Sequence, residues 1–84
     1  MEDAGDHQAA AAVYRRLVLA EELDEDACRR LMGALARTGA RAEALRHYDR
    51  LAALLRADLD TEPEDETVAL HERIRRGELA TAGR

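Results

Sequence analysis

The sequence predicts an all-α fold, a right-handed stack of about four antiparallel helices, and three observations carry that reading. Apolar residues recur at helical spacing in successive stretches. No stretch alternates apolar and polar residues as a half-buried strand would. A set of residues also repeats 34 positions later, since Ala10, Tyr14 and Leu17 recur as Ala44, Tyr48 and Leu51.

Residues 1–6 are acidic, contain Gly5 and have nothing to bury, so they are expected to be disordered. The helical domain is expected over 7–76. A first helix is expected over His7–Ala20, with Ala10, Val13, Tyr14, Leu17 and Val18 at i, i+3, i+4, i+7 and i+8. Asp24 then stands where an N-cap belongs, with Glu25 and Asp26 in the first turn against the positive helix end. The second helix, to about Thr38, carries Leu31, Met32, Leu35 and Ala36. Gly39 occupies the C-cap, which favours a left-handed residue. A third helix from Arg41 to about Ala57 carries Ala44, Leu45, Tyr48, Leu51, Ala52 and Leu55. The segment Asp58–Glu64 reads as a loop with Leu59 tucked inward, and Pro63 marks the restart. A fourth helix over Asp65–Arg76 turns Leu70 and Ile74 inward with Thr67 beside them and ends at Gly77. The tail 77–84 is expected to fray.

With 84 residues, a single core contributes only about 3–5 kcal/mol. No run of about 18 apolar residues could span a membrane. The acidic N-terminus carries no secretory signal, and the lone Cys28 has no disulfide partner, so a cytoplasmic protein is expected. A net charge of −5 and the absence of Phe and Trp argue against free nucleic-acid binding. The charge is unevenly spread. Residues 27–56 hold seven arginines and two acids, whereas 57–72 hold seven acids and no base. All 13 basic residues are arginine, as a GC-rich genome would give.

Catalytic chemistry finds no foothold. His71–Glu72 opens like a metalloprotease helix, but Arg75 stands where the second ligand belongs. His7 and His47 have no ligand partners in sequence. The carboxylates of 60–66 lack the spacing and central glycine of a calcium loop. Cys28 lies on an apolar helix face, as an inert core thiol does. There is no phosphate-binding glycine loop, nucleophile elbow or CxxC pair. No enzyme activity, metal, cofactor or small-molecule substrate is therefore expected.

The period of 34 with Ala-x3-Tyr is the tetratricopeptide spacing, so the stack is expected to be tetratricopeptide-like. The third unit restarts late, Leu70 and Ile74 matching Leu31 and Leu35 at an offset of 39. More specifically, the chain holds A-x3-Y-R-R-L, then E-D-A-x3-L-M-x-A-L-A-x2-G-x-R-A-E-A-L-x2-Y-x2-L-x2-L-L-R, an acidic loop with E-P, and L-H-E-R-I. Over about Ala9–Arg76 this resembles the C-terminal half of the bacterial transcriptional activator domain, found in the Streptomyces antibiotic regulatory protein family and related actinobacterial regulators. Asp60 departs from the glycine usual there. The resemblance implies a regulatory or protein-interaction module of a transcriptional regulator, without that family's upstream winged-helix DNA-binding domain. A generic helical-repeat adaptor unrelated to transcription and a truncated remnant are the alternatives.

Two surfaces are candidates for a protein partner. In a tetratricopeptide-like stack the first helix of each pair lines a groove. That stripe would hold Asp26, Arg29, Gly33 and Arg37 on the second helix, with Asp65, Val68, Glu72 and Arg76 on the fourth; its arginines could clamp a carboxylate. The other surface is the outer flank of the first helix, Ala9, Val13 and Leu17. The apolar arc there covers about 200° of the helical wheel, more than one helical hairpin conceals. Self-association or a partner helix would cover it, and the chain alone should not bind DNA specifically.

Overall fold

The computed structural model describes residues 6–79. They form four helices: α1 (His7–Ala20), α2 (Glu25–Arg37), α3 (Arg41–Leu54) with one π turn continuing it (Leu55–Leu59), and α4 (Asp65–Arg75). The fold is the all-α, tetratricopeptide-like stack that the periodicity predicts. The disorder expected for residues 1–5 and the fraying expected for 80–84 lie outside the described residues.

The stack is organised around α2, which packs against α1, α3 and α4. Its Ala27, Cys28, Leu31, Met32, Gly33, Ala34, Leu35 and Ala36 are all buried, so both flanks of the helix are spent on neighbours. The caps form as their residue types require. The Asp24 carboxylate accepts the Ala27 N–H at 3.1 Å. At the far end Gly39 takes φ 87°. Its N–H donates to the Ala36 carbonyl at 3.1 Å, and that of Ala40 donates to Leu35 at 2.8 Å, the two bonds of a Schellman motif. The same pair of bonds closes α4, from Gly77 to Ile74 and from Glu78 to Arg73, at 2.9 and 2.8 Å. This second motif bears on the tail expected to fray from residue 77, because it returns the chain to the core and buries Leu79.

α3 lies between α2 and α4 and buries Ala44, Leu51 and Ala52. Its end departs from expectation. The helix runs on through the π turn, and Leu59 is 54% exposed where the sequence reading tucked it inward. The reason is the turn that follows. Asp60 adopts the left-handed conformation at φ 57°, the geometry a glycine there would adopt more easily, and the Thr61 N–H reaches back to the Leu55 carbonyl. The redirected chain then buries Pro63 in place of Leu59. α4 presents Thr67 and Ile74 to the core, and the His71 ring stacks on Tyr48 at 3.9 Å.

α1 packs on α2 through Ala11 and Val18, with Ala10 and Tyr14 half-buried. It is tied to α3 by the Arg15–Glu43 ion pair at 2.9 Å, and the turn after it by Arg50–Glu22 at 2.8 Å. Both pairs join residues 28 positions apart, so α1 and α3 run parallel in fixed register. At the other end of the stack, α4 carries Glu66 and Arg73 where the 39-residue offset matches them to Ala27 and Ala34 of α2. The two alanines are buried, and the two charged residues are exposed.

Candidate partner-binding surfaces

The groove between α2 and α4 encloses about 360 Å³ and is lined by Asp26, Arg29 and Arg30 on one side and Glu66, Ala69, Leu70 and Arg73 on the other. Of the stripe expected from sequence, Asp26 and Arg29 line it. Gly33, Arg37, Asp65, Val68, Glu72 and Arg76 do not. The 39-residue offset carries a stripe to the same side of the next helix, whereas a groove between two helices is lined by their facing sides. Gly33 is buried, and the exposed Arg37 lays its guanidinium over it, 2.9 Å from where a Cβ would stand. Glu72 turns away and accepts from Arg75 at 2.7 Å, and Arg76 reaches Glu78 at 3.8 Å.

Arg29 is also differently employed than a peptide clamp would require. Its side chain is 16% exposed and pairs with Glu64 at 3.2 Å, with Asp26 at 3.6 Å and with Glu66 at 3.7 Å. It donates to the Thr67 hydroxyl at 2.9 Å, and that hydroxyl donates in turn to Glu25 at 2.7 Å. The same Glu25 carboxylate accepts the Glu64 N–H at 2.7 Å. A carboxylate in the first turn of α2 thus satisfies a free donor at the start of α4, where Glu64 makes no side-chain cap of its own. This network fastens α4 to α2. Sequence reasoning took Glu25 only as a favourable first-turn charge, because nothing local signals a bond to a residue about 40 positions away.

The groove's remaining charges are shared or exposed. Arg30 binds Asp26 at 2.8 Å, and that hydrogen bond holds the Asp26 carboxyl below its usual range. Arg73 makes no ion pair among the described residues. Cys28 is buried with its thiol against the His47 carbonyl, and burial pushes its pKa to about 11, so it is not a ready nucleophile. His47 lies 3.5 Å from Glu43.

On α1 the geometry is open. Ala9 is exposed, Val13 is 54% exposed and Leu17 is 48% exposed. The family profile of the bacterial transcriptional activator domain matches residues 2–75, nearly the whole chain. The chain belongs to this family. No curated protein and no solved structure showed a significant match. A bacterial transcriptional activator domain is a regulatory domain of transcription and not a catalytic one, in keeping with a site built of surfaces. Among the described residues of this activator domain, no helix is long and apolar enough to cross a membrane.

Proposed function

We propose that the chain serves transcription regulation in the bacterial cytoplasm as a protein-docking module, and that it does not read DNA itself. The observation that supports this most is the flank of α1, where Val13 and Leu17 stand about half exposed on one side of a single helix. Contiguous apolar surface of this kind marks interaction sites. The occupant that fits it is another amphipathic helix, from a second copy or from a protein partner. Two copies would meet about a two-fold axis, with Ala9, Val13 and Leu17 against their counterparts. DNA binding is opposed by the net charge of −5 and by arginines already engaged with carboxylates.

Sedimentation of the chain over a hundredfold concentration range tests the reading. The expected result is a mass that rises with concentration, and Val13→Glu should return it to the monomer with helix content unchanged. A constant monomer mass with α1 amides protected from exchange would overturn it, since the flank would then need no cover. An anisotropy titration showing sub-micromolar, sequence-dependent DNA binding would overturn the second half of the reading.

A further inference from the structure

A second apolar surface lies where α1 ends. Leu19 is 69% exposed, the most exposed large apolar side chain among the described residues, and Leu23 is 36% exposed. Together with Leu54 near the end of α3 they line a shallow groove of about 290 Å³, rimmed by Glu21, Glu22 and Asp58. Single exposed leucines are ordinary on protein surfaces. Here two leucines four residues apart, at the end of α1 and in the turn after it, meet a third from α3 in one depression.

The rim decides what can enter. Glu22 is held by Arg50 at 2.8 Å, while Glu21 and Asp58 make no ion pair among the described residues. The groove therefore sets leucine side chains beside carboxylates, two of them without an ion pair among the described residues. That combination repels anionic lipid and nucleic acid and attracts cationic groups placed beside an apolar one. The groove is also held in shape. The Glu21 N–H donates to the Leu17 carbonyl at 2.9 Å, and the Asp24 N–H donates to the Glu21 carbonyl at 3.1 Å. Leu23 thus stands on a fixed turn, and little ordering remains to oppose binding.

We infer that this groove docks a basic, leucine-bearing segment of a partner protein, with leucine on Leu19, Leu23 and Leu54 and arginine or lysine against Glu21 and Asp58. The surface is separate from the flank discussed above. At 100° per residue Leu19 lies about 160° around α1 from Leu17. The two sites can therefore succeed or fail independently.

The test is an anisotropy titration of the full chain with a short labelled peptide carrying two leucines one helical turn apart, each beside arginines. Two matched controls replace its arginines by glutamate or its leucines by serine. The basic leucine peptide should bind, both controls should bind at least about tenfold more weakly, and added salt should weaken the complex. Leu19→Ser and Asp58→Lys should each cost about tenfold in affinity, the scale of one lost apolar or charged contact, with the thermal melt unchanged because both residues are exposed. Val13→Glu should leave binding intact. No binding by the basic peptide, equal binding by the acidic control, or affinity that survives Leu19→Ser would each overturn the inference.

Discussion

α1 and α3 carry the same Ala-x3-Tyr-x2-Leu pattern 34 residues apart, and they meet different fates. Ala44 and Leu51 of α3 are 0% and 2% exposed. Their counterparts on α1 are Ala10, which is half-buried, and Leu17, which is 48% exposed. The side-chain types and spacing are alike, so propensity cannot separate them. Neighbours do. α3 has α2 on one side and α4 on another, while among the described residues α1 packs on α2 and reaches α3 through the single ion pair Arg15–Glu43. The apolar stripe of a repeat helix states what it can bury, and its place in the stack states what it does bury.

The sharpest way to break that comparison is to truncate both leucines. Leu51→Ala should cost about 2–5 kcal/mol, the range for a buried leucine, and would leave so small a domain largely unfolded. Leu17→Ala should cost under about 1 kcal/mol, because half the side chain already meets water. Urea melts of both variants, taken dilute enough to exclude association, check the pair. Similar losses would mean that α1 is as enclosed as α3.

A smaller effect probes how α4 supplies the cover that α1 lacks. Thr67 is 0% exposed, and its hydroxyl both donates to Glu25 and accepts from Arg29. Thr67→Val keeps the shape and removes both bonds, so it should cost about 1–3 kcal/mol. Glu25→Ala in the same background should then cost less than it does alone, since its bond to Thr67 is already gone and only that to the Glu64 N–H is left to lose. Full additivity in the double mutant would show that the network does not fasten α4.

The smallest effect concerns the tie between α1 and α3. Burial pushes the Glu43 carboxyl upward, but the hydrogen bond and charge of Arg15, with His47 behind, outweigh it and hold the pKa below the usual 4.5. A carboxyl depressed in the folded state stabilises the fold above its unfolded value and loses that contribution as pH falls through the lower folded value. Acidification below pH 4.5 should therefore cost the wild type more than Glu43→Gln. The difference should be a few tenths of a kcal/mol, because the pair is partly exposed. Melts at neutral pH and at about pH 3 measure it, and equal acid sensitivity would show that this pair does not tie α1 to α3.

Much of the fold was legible because its signals are local. The bounds of α1, the Asp24 cap, the Gly39 reversal and the restart after Pro63 each depend on a few adjacent residues. The sequence also showed the uncovered arc of α1, since an arc of about 200° exceeds what the α2–α3 hairpin can cover. The misses are all matters of three dimensions. Leu59 was placed inward by its apolar character, yet a left-handed Asp60 gave that place to Pro63. The groove stripe on α4 was carried over by a repeat offset, which preserves the side of a helix and not the side that faces a neighbour. Arg29 looked free because its partners Glu64 and Thr67 lie a whole helical hairpin away. The leucine groove was invisible because Leu54 comes from a helix far along the chain and meets Leu19 and Leu23 only in the fold.

The charges on α4 give the stack a direction. A helix laid over Glu66 and Arg73 would have to strip both of water, at a cost of several kcal/mol per ion unless it supplied matched partners. On α1 a newcomer meets alanine, valine and leucine and strips nothing costly. The two outer helices therefore differ in what they offer: α1 exposes apolar side chains, and α4 exposes charged ones. Under the self-association proposed for α1, the contact is isologous and closes at a pair.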